Sequence, residues 1–246
     1  MNSRIDIEKQ ENIKVPDVID HTVPIIFHRP KQPIQVRSPP SAILLISGAG
    51  GRVTGPTSLY TTLAEKITQN FGCYAVRMDF RMPVMMDLCV HDVTATINWL
   101  ENNYGIKDNI LIGWSFCGAV VIRAAVNEKR VLGLVTIASQ TAGALKEVSR
   151  LTQPILFIHG TKDTTLNSYC SECLYAHATV PEDRKELLLL QGDDHCLSNG
   201  VLFGDIESKI IDFCLKGLNI SKKQEDGKVG KVGKDGKEQQ KDDVKK

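Results

Sequence analysis

Residues 113–118, which read GWSFCG, stand between two apolar stretches of the chain. The stretch before them is Ile-Leu-Ile at 110–112, and the stretch after them, 119–125, is rich in small apolar residues. This order is typical of a buried strand, a sharp turn and a buried helix, with Ser115 at the turn. A serine in that place is held on a strained backbone with its hydroxyl exposed at the end of the strand.

The neighbours of such a serine must be small because the turn is tight. Gly113, two residues before Ser115, satisfies this demand. The position two residues after it holds Cys117, and glycine follows only at Gly118, so the run departs from the usual G-x-S-x-G pattern. The alternative interpretation is a chance Gly/Ser turn between a strand and a helix.

The rest of the chain alternates between apolar runs and amphipathic segments. The apolar runs predict strands at 42–46, 74–79, 110–112, 132–137, 155–158 and 186–190. Helices are predicted between them at 57–71, 93–104, 119–125, 141–150, 166–178 and 201–215. The alternation of Val23, Ile25 and Phe27 predicts an antiparallel edge strand within 18–28. The expected fold class is therefore α/β, a mostly parallel sheet with helices on both faces and functional loops at the carboxyl ends of its strands.

Both ends of the chain differ from its centre. Residues 1–17 are polar and predict a loose, flexible arm, which leaves one domain over 18–217. Residues 218–246 form a tail that from Ser221 onward is almost free of apolar side chains and is rich in Lys, Asp, Glu, Gln and Gly. Such a composition predicts disorder. The tail carries nine lysines and six acidic residues, so a solubilising role is expected and a weak anionic partner is the alternative.

Composition excludes several function classes. The 246 residues carry a formal net charge of +1, which offers no basic field for nucleic acid. No apolar stretch is long enough to span a bilayer, and the first residues lack an apolar signal core, so a cytoplasmic location is expected. Seven scattered cysteines predict reduced thiols. Cys170 and Cys173 form a CxxC pair that fits one face of a helix, with a metal or redox role as the alternative.

A serine hydroxyl is a poor nucleophile at neutral pH unless a base, usually a histidine oriented by a carboxylate, lies within hydrogen-bond reach. If Ser115 is the nucleophile, these partners belong on later strand-end loops in the order Asp, then His. Asp163 follows the strand at 155–158, and His195 follows the strand at 186–190. Three suitable residue types in suitable places predict a Ser115–Asp163–His195 constellation.

Other candidates for these roles are less suitable. Asp193 and Asp194 adjoin the histidine in the chain, and sequence neighbours seldom present their side chains to orient it. The thiol of Cys117 lies two places past the apex of the turn, which is a poor position for a nucleophile. Asp79 and Arg81 end a strand near the expected site, where they form a supporting ion pair or touch the substrate.

Over residues 18–217 the chain resembles the α/β-hydrolases, and within them the small, lidless, dienelactone-hydrolase-like esterases and thioesterases. The resemblance rests on the GWSFCG turn, on SGAGG at 47–51, on HGTKD at 159–163 and on DDHC at 193–196. It implies a catalytic triad of Ser115, Asp163 and His195. It also implies an oxyanion hole formed by the backbone N–H groups of Phe116 and Ala49.

The first loop departs from the family pattern because Ser47-Gly48 stands where His-Gly is frequent. The departure is compatible with the role because backbone amides bind the oxyanion. In the family the histidine of an HG pair such as His159-Gly160 supports its loop, and the resemblance implies the same role here. Residues 138–153 are too few for a large cap domain over the site.

The expected activity is that of a carboxylesterase-like serine hydrolase acting on a small-molecule acyl substrate through an acyl-enzyme, without metal or organic cofactor. Thioesterase, amidase and peptidase activities share the same chemistry and stay open, as does the oligomeric state. The alternative is a non-catalytic interaction or scaffold protein of the same fold. The departures at Ser47 and Cys117 keep that alternative open.

Overall fold

The computed structural model describes residues 8–16, 21–30, 36, 38–50, 52–79 and 85–220. Within these residues one sheet contains eight strands in the spatial order β1-β2-β4-β3-β5-β6-β7-β8. The pairs β1–β2 and β2–β4 are antiparallel, and all other neighbouring strands are parallel. The strands are β1 (Glu8–Lys14), β2 (Thr22–His28), β3 (Ser41–Ile46), β4 (Tyr74–Met78), β5 (Asp108–Trp114), β6 (Val131–Ile137), β7 (Ile155–Gly160) and β8 (Lys185–Leu190).

Helices cover both faces of this sheet. The described helices are α1 (Leu59–Asn70), α2 (Met86–Tyr104), α3 (Phe116–Ala125), α4 (Leu145–Val148), α5 (Tyr169–His177), α6 (Ser198–Phe203) and α7 (Asp205–Gly217). Successive residues of β3 show the two-sided burial, because Leu44 packs in the core layer with α2 to α5 while Ile43 and Leu45 pack in the layer with α1 and α7. The continuous apolar runs are therefore strands buried on both faces, as the predicted α/β class requires.

The connection between β6 and β7 is short. It runs from residue 138 to residue 154 and contains the single-turn helix α4. The prediction of one α/β domain without a large cap is confirmed, because this fully described connection contains no second unit. Among the described helices, none combines the length and the apolar character that a membrane crossing demands.

The N-terminal segment corrects one prediction. Residues 8–14, expected to belong to a loose arm, form β1 and pair with β2 along its length. Ile13 and Val15 are buried in the core, and the carboxylate of Glu8 binds the buried Arg77. These contacts with distant residues order a polar stretch whose own pattern does not indicate a strand.

The C-terminal helix is the second correction. The continuous helix expected over 201–215 is divided into α6 and α7 at Gly204, whose φ of 76° is left-handed and ends the first helix. Residues 1–7 and 17–20, which belong to the predicted arm and the start of the predicted edge strand, lie outside the described residues. The predicted disordered tail from Ser221 to Lys246 also lies outside them.

Candidate active site

The serine predicted at the turn stands between β5 and α3. Ser115 has φ 57° and ψ −123°, a conformation that costs a residue with a side chain of the order of 1–3 kcal/mol. The surrounding structure enforces it, since the N–H of Ser115 donates to the carbonyl of Ile137 at 2.7 Å and Gly118 N–H donates back to the Ser115 carbonyl at 3.0 Å. The half-buried side chain therefore projects at the carboxyl edge of the sheet.

Two glycines allow this turn to be packed closely. A Cβ on Gly113 would collide with the carbonyl oxygen of Cys117. A Cβ on Gly48, in the loop after β3, would lie 2.7 Å from the Cβ of Ser115. The first loop is thus pressed against the turn, and only glycine fits at either contact.

Cys117 occupies the position where the usual pattern has glycine. Its side chain is fully buried in the core. Burial, reinforced by the neighbouring Cys89, raises the pKa of the Cys117 thiol well above its ordinary value. The residue is a small packed thiol, and its environment does not produce a reactive thiolate.

The structure brings Ser115, His195 and Asp163 together. His195 Nε2 lies 3.0 Å from Ser115 Oγ, and His195 Nδ1 lies 2.6 Å from Asp163 Oδ2. Because a carboxylate accepts, we assign the ring proton to Nδ1, which leaves Nε2 to accept the hydrogen bond of the serine hydroxyl. The side chain of His195 retains 16% exposure, so solvent can reach this histidine.

Asp163 is held from four directions. Its Oδ1 accepts the backbone N–H groups of Thr165 and Leu166, both at 2.8 Å. Its Oδ2 faces His195 on one side and His159 Nε2, at 3.1 Å, on the other. The carboxylate side chain is fully buried, and these bonds compensate its loss of water.

His159 is a second histidine on this carboxylate. Its Nε2 also lies 2.9 Å from the carbonyl of Leu166, so both neighbours of Nε2 are acceptors and the proton belongs there. Its Nδ1 then accepts the hydroxyl of Ser171 at 2.7 Å. Burial lowers the pKa of His159 below its ordinary value, which keeps the ring neutral. The ring positions Asp163 and does not compete with His195 as the base.

The two aspartates before His195 shape its loop. Asp193 accepts the backbone N–H groups of Asn199 and Gly200, at 3.1 and 2.9 Å. Asp194 accepts those of Cys196 and Ser198. Burial alone would raise the pKa of Asp194, but the hydrogen bonds from Ser198 and Cys196 outweigh it and lower the pKa. Both carboxylates therefore bind backbone N–H groups of the loop and of the start of α6.

The two residues predicted to bind the oxyanion belong to segments that adjoin Ser115. Phe116 begins α3 directly after Ser115, and the exposed Ala49 lies in the loop that Gly48 presses against the turn. Ser47, where the chain departs from the family pattern, is buried. Its hydroxyl oxygen accepts the Gly55 N–H at 3.0 Å and fixes the far end of the same loop.

Two further predictions concern Asp79 with Arg81, and the Cys170–Cys173 pair. Asp79 follows β4, but Arg81 lies outside the described residues, so their ion pair stays a prediction. Cys170 and Cys173 share α5 as partly exposed free thiols, three residues apart. In the part of the chain that the structure describes, no group of three His, Cys, Asp or Glu side chains is arranged to hold a metal ion.

A sequence model of the Alpha/beta hydrolase family matches residues 44–210, which include the strands and loops of the site. The chain belongs to the alpha/beta hydrolase family. This membership supports a hydrolase activity. None of the curated proteins has a significantly matching sequence.

Solved structures of low sequence identity share the fold. Est1E from Butyrivibrio proteoclasticus superposes with a TM-score of 0.71 at 14% identity, covering 85% of this chain and 99% of that one. A dienelactone hydrolase from Anabaena variabilis gives 0.68 at 15% identity, with 85% and 97% covered. XC6422 from Xanthomonas campestris, described as a serine hydrolase without a lid, gives 0.64 at 16% identity, with 87% and 94% covered. At these identities the likeness shows the fold.

Proposed function

We propose that this hydrolase cleaves an ester or similar acyl bond, with Ser115 as nucleophile, His195 as general base and Asp163 as the group that orients it. One observation carries the proposal. His195 bridges the other two residues through its two ring nitrogens, at 3.0 Å from Ser115 Oγ and 2.6 Å from Asp163 Oδ2. This is the arrangement by which a histidine activates a serine hydroxyl.

In the acylation step, the Ser115 hydroxyl proton passes to His195 Nε2 while Oγ bonds to the acyl carbon. Asp163 stabilises the imidazolium that forms. The acyl oxygen becomes an oxyanion, for which we propose the backbone N–H groups of Phe116 and Ala49 as donors. The tetrahedral intermediate then collapses, and the leaving alcohol departs with the proton of His195.

The acyl-enzyme is released by the same groups. His195 takes a proton from water, whose oxygen attacks the acyl carbon, and the proton is returned to Ser115 Oγ when the acid leaves. Each step uses protein groups and water, so the proposed reaction needs no cofactor.

A carboxylesterase-like specificity is the form of this activity that we propose to test first. The described connection between β6 and β7, residues 138–154, contains no cap domain, which suits a small acyl ester. Est1E, which shares the fold, is described with bound ferulic acid, so esters of aromatic carboxylic acids join short-chain acyl esters as first substrates. Thioesters and amides meet the same nucleophile and are the next classes to compare. The seven free thiols support our expectation of a reducing, cytoplasmic setting.

The experiment is labelling of the purified protein with a fluorophosphonate, which reacts with activated serines. We expect the wild type to label, Ser115→Ala to take up no label, and His195→Ala to label much more slowly. Ser208→Ala, on the exposed surface of α7, is the matched control and should label like the wild type. A folded wild type that takes up no label would refute the activated serine and favour the non-catalytic scaffold.

A further inference from the structure

The loop that carries His195 is tied down by two side chains. This histidine loop, residues 191–197, follows β8 and leads into α6. Trp114 Nε1 donates to the carbonyl of His195 at 3.0 Å, and Thr57 Oγ1 donates to the carbonyl of Cys196, also at 3.0 Å. Two consecutive carbonyls of the loop thus accept bonds from two different parts of the fold.

Thr57 makes its bond from an unfavourable backbone conformation. Its φ of 48° and ψ of 36° are left-handed, and Ser58 after it has a φ of 62°. A β-branched residue is a genuine outlier in this region, where glycine or asparagine is the usual occupant. Glycine would remove the backbone strain, but it has no hydroxyl to reach the Cys196 carbonyl.

Trp114 stands where the three parts of the site meet. It directly precedes Ser115 and is 7% exposed, and its ring lies against that of His195 with centroids 5.6 Å apart. A Cβ on Gly48 would come within 3.3 Å of the same indole ring, so the first loop packs on it as well. The Trp114 indole, next to Ser115, therefore contacts both the loop after β3 and the histidine loop.

The histidine loop needs such ties because of where it begins. β8 is the last strand at its end of the sheet, and its residues are exposed or only half-buried. A displacement of about 1 Å at a reacting group can cost on the order of a hundredfold in rate. We propose that Thr57 and Trp114 are positioning residues that hold the histidine loop where His195 Nε2 reaches Ser115 Oγ. This inference rests on the proposed hydrolase function.

The two donors bind carbonyl oxygens and leave both ring nitrogens of His195 to its partners. Their loss should therefore lower the turnover rate and the rate of serine labelling. The affinity for a small ester and the midpoint of the pH–rate profile should stay the same. A purely structural role would instead lower activity only through loss of folded protein.

Three variants of Thr57 distinguish the effect of its hydroxyl on labelling from the effect of its backbone strain on stability. Thr57→Val keeps the shape and loses the hydroxyl, and we expect fluorophosphonate labelling to slow about tenfold, the usual effect of one hydrogen bond. Thr57→Ser restores the donor and should label within about twofold of the wild type. Thr57→Gly should label as slowly as Thr57→Val but melt at a higher temperature, because it relieves the strain.

Trp114→Phe tests the second tie. It keeps an aromatic ring and removes the N–H, and we expect labelling to slow about tenfold at unchanged affinity for the ester. Trp99→Phe is the matched control. Trp99 is half-buried and packs against Phe27 and Tyr104 at the edge of the core, so this variant should label at the wild-type rate.

The outcomes separate this inference from the proposed function. If the wild type labels and both Thr57→Val and Trp114→Phe label at its rate, the positioning role is overturned and the hydrolase stands. A Thr57→Ser variant as slow as Thr57→Val would also overturn the role of the hydroxyl. If the folded wild type does not label, the proposed function fails and the inference fails with it.

Discussion

Two clusters of histidines occupy different regions of the sheet, and their charged hydrogen-bond partners carry opposite charges. At the antiparallel end, His28 on β2 faces the guanidinium of Arg77 on β4, whose Nε donates to His28 Nε2 at 2.9 Å. At the carboxyl ends of the parallel strands, His159 and His195 both face the carboxylate of Asp163. A histidine beside a cation must accept, whereas a histidine beside a carboxylate donates.

The partners decide what each cluster can do. Burial, aided by the positive charge of Arg77, lowers the pKa of His28 from 6.5 to about 4, so the ring stays neutral. The guanidinium also binds Glu8, Val53 and Thr61, and so links β1 and β4 to α1 and to the loop before it. In the other cluster the Asp163 carboxylate can stabilise the positive charge that His195 gains when it accepts a proton. The same residue type is thus a structural acceptor in one region and the proposed base in the other.

The largest expected effect follows from removing the negative charge of the second cluster. Asp163→Asn should lower the turnover number on the order of 10⁴-fold, because an amide neither orients His195 in the required tautomer nor stabilises its charged form. Steady-state hydrolysis of a short-chain aryl ester measures this effect, with circular dichroism to establish folding. His28→Gln, in the first cluster, is the control and should retain activity at neutral pH. Equal losses in the two variants would contradict the division between the clusters.

The first cluster predicts a pH dependence of stability. The unfolded chain binds a proton on His28 near pH 6.5 and the folded chain only near 4, so the free energy of unfolding should fall as pH decreases between these values. Protonation of this one group should remove about 3 kcal/mol between about pH 7 and pH 4. Urea titrations at both pH values measure it. His28→Gln should lose less unfolding free energy over this pH range. An identical loss in both proteins would show that His28 is not the group responsible.

Loss of His159 should reduce turnover less than loss of the Asp163 charge, because His159 hydrogen-bonds to the carboxylate and not to His195 or Ser115. Its Nε2–H bond to Asp163 is one bond to a charged group, worth about 1.5–3 kcal/mol. His159→Leu should therefore slow turnover by about ten- to a hundredfold. His159→Gln, which retains an amide donor, should slow it less. Turnover measurements on the pair distinguish the lost donor from the lost volume, and a slower glutamine variant would point to packing alone.

The smallest effect is expected at the outer end of this chain of contacts. Ser171→Ala removes the hydroxyl that donates to His159 Nδ1, a neutral bond worth about 1 kcal/mol. Thermal unfolding should detect the loss of stability, while turnover stays within about threefold of the wild type. Ser149→Ala, whose hydroxyl bonds a carbonyl at the exposed end of α4, is the comparison and should change stability less.

The sequence sufficed to predict the parallel part of the sheet, and it also indicated the three residues proposed to react. Buried parallel strands appear as continuous apolar runs, and polar residues just past their ends converge at one edge. Ser115, Asp163 and His195 obey this rule. They follow β5, β7 and β8, whose carboxyl ends lie at the same edge of the sheet.

Other features depend on contacts that no local pattern encodes. The strand β1 exists because Glu8 meets Arg77 and Ile13 enters the core, both through distant residues. The ties on the histidine loop join side chains and carbonyls 139 and 81 residues apart, and neither Thr57 nor Trp114 belongs to a pattern that indicates them. The break at Gly204 interrupts a segment whose apolar spacing continues through it.

The serine and its proposed base follow strands that differ in burial. All of β5 except Asp108 is buried, whereas β8 is outermost and has no fully buried residue. Free energies of local opening vary across a protein and are lowest where few contacts hold an element. Detachment of β8 would carry His195 away from Ser115 and leave the central strands paired. The proposed activity should therefore depend on this weakly held strand, and mild denaturation should abolish it before the secondary structure melts.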